Sequence, residues 1–497
     1  MNYMAETLGI VYLAILLGLA FYGINSLMTA GLFLVVKKRW GNEPVTPEPK
    51  EWPRVTVQLP VFNEKYTMER LLRAVTHLDY PRDCLQIQVL DDSTDDTSSL
   101  SAHLVEESRA RGIDIQWLHR TDRSGYKAGA LEKGLASADG SLIAIFDADF
   151  LPEPDWLKKT VPCFQDGKLG CLQTRWGHTN REYNSLTIAQ ALAIDGHFVV
   201  EQTVRSRNGL FLNFNGTAGL WRRSCIEDAG GWQSDTLTED LDLSYRAQLR
   251  GWRIGYLPGV VVRAELPAYV EAFKRQQFRW AKGSFEVARK ILPDVLERRD
   301  LPRHVRLAGL LHITGYFVHP LMVALLLVTL PVGLFAPHFF DLLPISMIAM
   351  FGPPLLYAAA EMSDTPPLKE RLKILPLLTI LGFGISLNTA IGVMEGLFGT
   401  GGDFVRTPKF NLGNNSKANS ALDGAYMPRI SPVIFGEIGL GLYALLTIFS
   451  LEPSMGWKII PWMSIYSLGY FYVAGLNLIQ HWQAQSRHFP LTIKQNV

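Results

Sequence analysis

Long apolar runs at both ends of the chain restrict its fold more than any other feature of the sequence. Residues 7–36 contain no charged side chain and are followed at once by Lys37, Lys38 and Arg39. About 20 apolar residues suffice to cross a bilayer, and a basic cluster marks the cytosolic end of a span. Residues 7–36 are therefore predicted to be a retained N-terminal anchor. Similar runs occupy residues 307–335, 342–362, 432–451 and 457–479.

The apolar run at residues 374–398 has two interpretations. It is long enough to cross, but it contains Ser386, Asn388, Thr389 and Glu395. Crossing would also place the basic connector 400–430 outside, against the positive-inside rule. We therefore predict an interfacial or re-entrant helix here and five spans in total, with the N-terminus outside and the C-terminus inside. Six spans remain the alternative, because hydropathy alone predicts them.

Residues 53–306, between the apolar runs, have the composition of a soluble α/β enzyme. Short apolar runs at 55–62, 85–90, 141–146 and 170–173 predict strands, and the patterns at 68–78 and 98–111 predict helices between them. This alternation predicts a mostly parallel, Rossmann-like sheet that binds ligands at the carboxyl ends of its strands. The net charge of +1 at pH 7 argues against a nucleic-acid partner, which would require a large basic excess.

The predicted domain organisation follows from the alternation of apolar runs with the region that has the composition of a soluble enzyme. A membrane anchor (1–36) and a linker (37–52) precede a cytosolic α/β domain (53–266) and amphipathic interface helices (267–306). A transmembrane hairpin (307–362), an interfacial segment with its connector (363–430), a second hairpin (431–479) and a cytosolic tail (480–497) complete the chain.

Two acidic motifs directly follow predicted strands. Asp91 and Asp92 end the strand at 85–90, where carboxylates suit the amide of a base and a ribose hydroxyl; an Asx-turn that begins the next helix is the alternative. Asp147 and Asp149 follow the strand at 141–146, and alternation in an extended segment would place both on one side. Hard oxygen ligands at that spacing suit Mg²⁺ or Mn²⁺ carrying a diphosphate, and a plain acidic turn is the alternative.

A third motif, Thr238-Glu239-Asp240, precedes a helical pattern. Asp240 is predicted to be a general base that takes the proton from an acceptor hydroxyl. The alternative is structural, with Thr238 or Asp240 capping the helix.

The fourth motif is Gln-x-x-Arg-Trp, at Gln276, Arg279 and Trp280. In a helix these three residues share one face, where Arg279 can pair with a diphosphate and Trp280 can stack on a sugar ring. An ordinary interface helix, whose arginine and tryptophan lie at the headgroup level, is the alternative.

Taken together, the four motifs resemble the membrane-integrated family 2 inverting glycosyltransferases: cellulose, chitin and hyaluronan synthases and their relatives. The segments FNGTAGLWR (214–222), AGGW (229–232) and QTRW (173–176) are most similar to the cellulose-synthase-like mannan and glucomannan synthases. The resemblance implies a GT-A fold, a nucleotide-sugar donor and a β-linked product.

The resemblance also implies roles for individual residues. Asp240 and Glu239 would be catalytic, and Asp149 with Asp147 would hold Mg²⁺ or Mn²⁺. The nucleotide-sugar would be bound by Pro60, Glu64, Asp91, Asp92, Lys127, Asp147, Gln276 and Arg279. The acceptor would be bound by Trp280, Asn215, Gly216 and Thr217. A gating loop would contain Phe404, Arg406, Thr407 and Lys409.

The expected function is that of a processive enzyme in the plasma (bacterial inner) membrane, in contact with its lipids. It would polymerise a β-1,4-mannan, glucomannan or β-glucan from cytosolic GDP-mannose or UDP-glucose and pass the growing β-glycan acceptor through its own spans. Two alternatives remain open: transfer of a single sugar to a lipid, and a catalytically inactive export scaffold. The chain has one span before the catalytic domain, fewer than cellulose synthase, and no regulatory domain of the cyclic-dinucleotide type is expected after residue 479.

Overall fold

The computed structural model describes residues 2–39, 46–361, 372–399, 409–411 and 430–488. Its strands are β1 (Val55–Val61), β2 (Leu85–Asp91), β3 (Ile115–His119), β4 (Leu142–Ile145), β5 (Leu169–His178), β6 (Gly219–Arg222) and β7 (Arg253–Ala264). The helices of the catalytic region are α2 (Met68–Thr76), α3 (Thr97–Ala110), α4 (Tyr126–Ala136), α5 (Trp156–Thr160), α6 (Ser185–Asp195), α7 (Thr203–Arg207), α8 (Arg223–Asp228) and α9 (Glu239–Leu249).

The remaining helices flank this region. They are α1 (Asn2–Arg39), α10 (Val270–Glu297), α11 (Arg303–Ile313), α12 (Val318–Phe335), α13 (Leu343–Glu361), α14 (Leu375–Gly384), α15 (Ser386–Phe398) and α16 (Val433–His488). A π-helical segment, Gly196–Gln202, joins α6 to α7 without a break.

The seven strands form one sheet in the order β3-β2-β1-β4-β6-β5-β7. Only β6 runs against its neighbours β4 and β5, so the sheet is mostly parallel, as the strand–helix alternation predicted. The strands β3, β6 and β7 were not predicted. They lack a continuous apolar run: β7 contains Gly255, Pro258 and Gly259, and β3 is only partly buried.

The register of the parallel strands brings the acidic motifs to one edge. Val61 of β1 pairs with Asp91 of β2, and Gln58 of β1 pairs with Ile145 of β4. Asp91, Asp92 and the loop after β4 therefore leave the sheet at the same end. This end is where ligands bind in open α/β sheets.

Among the residues that the structure describes, four helical segments are long and apolar enough to span a membrane: Tyr3–Val35, Gly315–Phe335, Val433–Leu451 and Lys458–Gln485. The protein is therefore a membrane protein. Helices α14 and α15 pass the same test together and are bent by 50° at their junction, which is the geometry of a broken span or of a re-entrant loop. The helix α13, within the predicted run 342–362, packs against α1.

The helical run α16 is not straight. Its two apolar segments, Val433–Leu451 and Lys458–Gln485, both contact the start of α10. Glu437, in the first segment, is 2.6 Å from the Lys274 ammonium, and Gln480, in the second, accepts a hydrogen bond from the Val270 amide at 2.8 Å. Lys274 and Glu437 are both buried, so this ion pair ties the interface helix to the apolar helices.

Helix α10 is held between the catalytic region and the apolar helices. Lys290 contacts Asp242 of α9 at 3.0 Å. On the other side, Gly392 and Gly396 of α15 lie directly against its backbone. A Cβ atom at Gly396 would lie 2.4 Å from the Lys282 carbonyl oxygen, so glycine is required for this close approach.

Candidate active site

A cavity of about 220 Å³ opens at the carboxyl ends of the strands. Most of the predicted site residues line it: Pro60, Glu64, Asp92, Lys127, Asp147, Asp149, Asn215, Gly216, Glu239, Asp240, Gln276, Arg279, Trp280 and Lys409. The structure thus brings together all four motifs, which are spread over almost two hundred positions. The predicted gating residues Phe404, Arg406 and Thr407 lie outside the described part of the chain.

Two predicted residues stand behind the cavity wall. Asp91 is fully buried, and its carboxylate accepts hydrogen bonds from the Ser93 amide at 2.9 Å and the Trp117 indole at 3.1 Å. The first of these bonds is the Asx-turn that was the alternative interpretation. Thr217 is also buried, and its hydroxyl accepts a hydrogen bond from the Asp147 amide at 2.9 Å.

Asp92 reaches the cavity but is already paired. The Arg120 guanidinium donates to both of its oxygens, at 2.7 and 2.5 Å, and both side chains are almost fully buried. Nearby, the Arg123 guanidinium lies 3.3 Å from the centre of the Phe62 ring. Phe62 and Arg123 both line the cavity, so this stacked pair offers a flat face that suits a planar base.

Asp147 and Asp149 lie in a turn and not in an extended segment. Strand β4 ends at Ile145, and the Phe150 amide bonds the Asp147 carbonyl at 3.0 Å. Alternation along a strand is therefore not what brings the two carboxylates together, contrary to the expectation from sequence. The turn does so, because both side chains still face the cavity.

Each of these carboxylates contacts a lysine ammonium. Lys127 Nζ is 2.5 Å from Asp147 Oδ1, and Lys409 Nζ is 2.7 Å from Asp149 Oδ2. The described residues contain no group of three or more histidine, cysteine or acidic side chains able to hold a metal alone. Mg²⁺ and Mn²⁺ usually bind through one or two carboxylates together with substrate phosphates, so these two residues fit such an ion.

Asp240 and Glu239 begin α9 at the floor of the cavity. Within the described residues Thr238 makes no side-chain capping bond, although its backbone occupies the N-cap position. Burial and the neighbouring Glu239 carboxylate raise the pKa of Asp240 to about 7, and Lys127 opposes the shift. Burial also raises the pKa of Glu239. A carboxylate with a pKa near neutrality is suited to general-base catalysis.

The loop before β6 brings the backbone close to Asp240. Gly216 has a φ of 80°, and a Cβ atom there would lie 3.0 Å from Asp240 Oδ2. Its carbonyl oxygen accepts a hydrogen bond from Lys127 at 2.9 Å. Gly216 therefore supplies both a left-handed backbone conformation and the space that Asp240 occupies.

Gln276, Arg279 and Trp280 all face the cavity from α10, as their helical spacing predicted. The charges of Glu239, Asp147 and Asp240 act on the Arg279 guanidinium and oppose the lowering of its pKa by burial. Arg279 thus holds a positive charge in the cavity near these carboxylates.

A second cavity, of about 630 Å³, continues from this site into the apolar helices. Its lining includes Tyr12, Phe340 and Trp462, which belong to the apolar helices and their connections. The two cavities share one set of wall residues: Trp176, Ile194, Asn215, Thr238, Asp240, Gln276 and Trp280. Asp240 therefore stands at the junction between the strand-end cavity and the membrane-side cavity.

Several residues in or beside the two cavities were not found from the sequence. Glu265, at the end of β7, accepts a hydrogen bond from the Phe410 amide at 2.7 Å, and its carbonyl accepts one from Lys409 at 2.5 Å. Arg120 had no local signal, because its pairing with Asp92 requires the fold. His197 and Glu201 could have been noticed from their spacing of four residues in an apolar helix.

Comparison with known proteins gives consistent results for this region. Residues 53–283 match the family described as "Glycosyltransferase like family 2". The chain is 43% identical over 256 residues to the probable glucomannan 4-beta-mannosyltransferase 7 of Oryza sativa subsp. japonica, covering 50% of this chain and 44% of that protein. It is 40% identical over 255 residues to glucomannan 4-beta-mannosyltransferase 1 of the same organism, covering 50% and 49%. The matches thus span about half the length of these curated relatives.

Among solved structures, the mannosyltransferase PcManGT from Pyrobaculum calidifontis, in complex with GDP-Man and Mn2+, is similar to this chain. The TM-score is 0.50 at 22% identity, covering 79% of this chain and 99% of that one. At this identity the likeness concerns the fold, and it confirms the expected GT-A-like glycosyltransferase fold.

Proposed function

We propose that this membrane protein, whose residues 53–283 match the glycosyltransferase-like family 2, is a processive inverting hexosyltransferase that extends a β-linked polysaccharide and passes it into the membrane. The position of Asp240 at the junction of two cavities carries this proposal. A polymerase needs a donor site and an acceptor channel that meet at the catalytic base, and the two cavities meet there.

The strand-end cavity is the proposed donor site. Pro60, Glu64, Asp92 and the stacked pair of Phe62 and Arg123 would hold the nucleoside. Lys127 and Arg279 would face the diphosphate. GDP-mannose is the preferred donor, because the relatives are named as mannosyltransferases and the similar structure contains GDP-Man. UDP-glucose is the alternative.

Asp149 and Asp147 are the proposed holders of Mg²⁺ or Mn²⁺. Such an ion, when bound, would neutralise charge on the leaving diphosphate. Lys409 would have to release Asp149, and it could then turn to a phosphate oxygen. The contact of Lys409 with Asp149 supports the assignment of Lys409 to a gating loop over the donor site. The other predicted loop residues lie outside the described residues.

Transfer proceeds by direct displacement. Asp240 accepts the proton of the acceptor hydroxyl as the hydroxyl oxygen bonds to the anomeric carbon, and the bond from that carbon to the diphosphate breaks on the opposite face. Lys127 and Arg279 receive the charge of the departing diphosphate. Glu239 keeps the pKa of Asp240 high enough for the proton transfer to work near neutral pH.

Trp280 and the membrane-side cavity are the proposed acceptor route. Trp280 and Trp176 line the junction, where aromatic faces can stack on sugar rings. The cavity then continues between apolar helices, so the extended chain would leave the catalytic centre toward the membrane. The catalytic domain is accordingly proposed to lie in the cytosol, at a plasma or bacterial inner membrane.

The test uses the full chain in proteoliposomes with each nucleotide-sugar in turn. We expect polymer from GDP-mannose, with a broad distribution of lengths and protection from an added glycanase when the product enters the lumen. Transfer of one sugar to lipid without polymer would contradict processivity. Absence of transfer from every donor, with folded protein, would contradict the enzymatic assignment.

A further inference from the structure

One face of α10 contacts the segment of chain that leads to Asp240. We refer to this segment, residues 232–238, as the entry loop. Spacings of four, three and four residues place four side-chain positions on one stripe of the helix: Arg279, Gly283, Glu286 and Lys290. Arg279 lines the strand-end cavity. The three positions after it belong to none of the four motifs, and they contact the entry loop.

Glu286 holds the backbone of the entry loop three residues before Asp240. Its Oε2 atom accepts a hydrogen bond from the Leu237 amide at 2.7 Å, and Glu286 is only 5% exposed. A hydrogen bond to a carboxylate is shorter than one between neutral groups and roughly twice as strong. Leu237 also lines the strand-end cavity. The bond therefore fixes the loop at the point where it forms the cavity wall.

The stripe contacts the entry loop on both sides of this bond. Gly283 lies directly against Thr238, because a Cβ atom at Gly283 would be 2.5 Å from Thr238 Cγ2. The Lys290 ammonium donates to Gln233 at 2.7 Å and to Asp235 at 2.8 Å. The side of α10 that continues from Arg279 thus holds the loop between residues 233 and 238.

These contacts connect two groups of the candidate site. Asp240 is the second residue of α9 and follows the entry loop directly, while Arg279 lies one turn before Gly283 on the same face of α10. The separation between the Asp240 carboxylate and the Arg279 guanidinium therefore depends on how the loop is seated on α10. Direct displacement requires closely aligned reacting atoms, and a misplacement of about 1 Å can cost about a hundredfold in rate.

We infer that Glu286 is a positioning residue for the transfer reaction, which holds the loop before Asp240 in a fixed relation to Arg279 and so acts through Asp240. The required property is acceptance of the hydrogen bond from the Leu237 amide, which a neutral acceptor of the same shape can also provide. The inference rests on the proposed function, because it takes Asp240 as the base and Arg279 as a ligand of the diphosphate.

The test compares Glu286→Leu with Glu286→Gln in the full chain, purified in nanodiscs. Leucine removes the hydrogen-bond acceptor, and glutamine keeps one. We expect Glu286→Leu to lower kcat about tenfold to a hundredfold and to keep the donor KM within about twofold of the unchanged protein. Glu286→Gln should keep kcat within about threefold. Because unfolded protein would also lower the apparent rate, kcat is expressed per nucleotide site, counted by calorimetric titration with GDP or UDP in the presence of Mn²⁺.

Two further variants separate positioning from general damage to the entry loop. Glu132→Leu is the matched control, because the exposed Glu132 carboxylate accepts a hydrogen bond from the Trp232 amide at 2.9 Å, at the other end of the same loop. This control should leave kcat per site within about twofold of the unchanged value. Gly283→Ala displaces Thr238 from α10 through a different contact, and it should lower kcat per site without a change in the donor KM.

The outcomes distinguish the inference from the function on which it rests. An unchanged kcat per site in Glu286→Leu would overturn the inference, and so would an equal fall in Glu286→Gln or in Glu132→Leu. A rise in the donor KM as large as the fall in kcat would also overturn it, since the whole site would then be disturbed. If Glu286→Leu yields no folded protein, Gly283→Ala decides in the same way. An unchanged protein that transfers no sugar would overturn the proposed function, and the inference with it.

Discussion

The pH dependence of the reaction tests the assignment of Asp240 most directly. Burial and the Glu239 carboxylate raise the pKa of Asp240 to about 7, whereas an ordinary aspartate has a pKa near 3.8. Only the ionised carboxylate can accept the acceptor proton. At pH 6 roughly one-tenth of the molecules would carry it, so kcat/KM should fall about tenfold for each pH unit below 7.

Glu239→Gln separates the causes of this shift. The variant removes the charge that disfavours ionisation of Asp240 and leaves Lys127, which favours ionisation. A like charge at short range in a partly buried site is worth about one to two pKa units. The acidic limb of kcat/KM should therefore move down by about one to two pH units, and activity at pH 6, relative to each protein's own plateau, should rise roughly fivefold or more.

The assay is initial-rate transfer from radiolabelled nucleotide-sugar between pH 5.5 and 8.5 at constant ionic strength. Glu107→Gln, at an exposed carboxylate of α3, is the control and should keep the unchanged profile. An acidic limb that stays in place in Glu239→Gln would refute the electrostatic reasoning. A profile without an acidic limb in the unchanged protein would refute Asp240 as the base.

Three more predictions follow from contacts of the site and its supports. Asp240→Asn should abolish transfer, yet it should raise the thermal unfolding midpoint at pH 8 and not at pH 4. The pKa of Asp240 is higher in the folded than in the unfolded protein, so the aspartate loses stability as the pH rises from about 4 through 7, and the asparagine does not. An unchanged midpoint at pH 8 would contradict this prediction. Lys409→Met should tighten Mn²⁺ binding to the nucleotide-free protein about five- to tenfold, because the Lys409 ammonium no longer pairs with the Asp149 carboxylate. The paramagnetic resonance of the free ion measures this binding. Weaker binding would show that the lysine does not compete with the ion. Lys274→Met should lower the free energy of unfolding by about 3–5 kcal/mol, because it leaves Glu437 buried without its ion-pair partner. In thermal denaturation of the purified protein, adding Glu437→Leu should restore most of the loss. A Lys274→Met protein as stable as the unchanged one would refute the pairing.

The meeting of the candidate site residues in one cavity could be predicted because each lies in a short motif at a fixed position relative to a strand or helix. Asp240, Arg279 and Trp280 reach one cavity because strand ends and helix faces are periodic features that a sequence displays directly. Asp147 and Asp149 line the cavity as expected, but a turn orients them and not an extended segment.

Other features depend on contacts between distant segments, which no local pattern records. The pairing of Arg120 with Asp92 and the closure of Lys409 over Asp149 join residues that are 28 and 260 positions apart. The π segment at Gly196–Gln202 was also not predicted, because its residues fit an ordinary helix equally well. The antiparallel strand β6 was missed because only Leu220 and Trp221 are apolar in it, between Gly219 and Arg222.

The glycines of α15 have a mechanical consequence. Since Gly392 and Gly396 let two backbones touch without intervening side chains, there is no soft layer between α15 and the helix that presents Arg279 and Trp280. Any tilt that a thicker or thinner bilayer imposes on α15 would then be passed to the face of α10 that carries Arg279 and Trp280. Under the proposed function, bilayer thickness would then act on the transfer rate through the packing of these two helices.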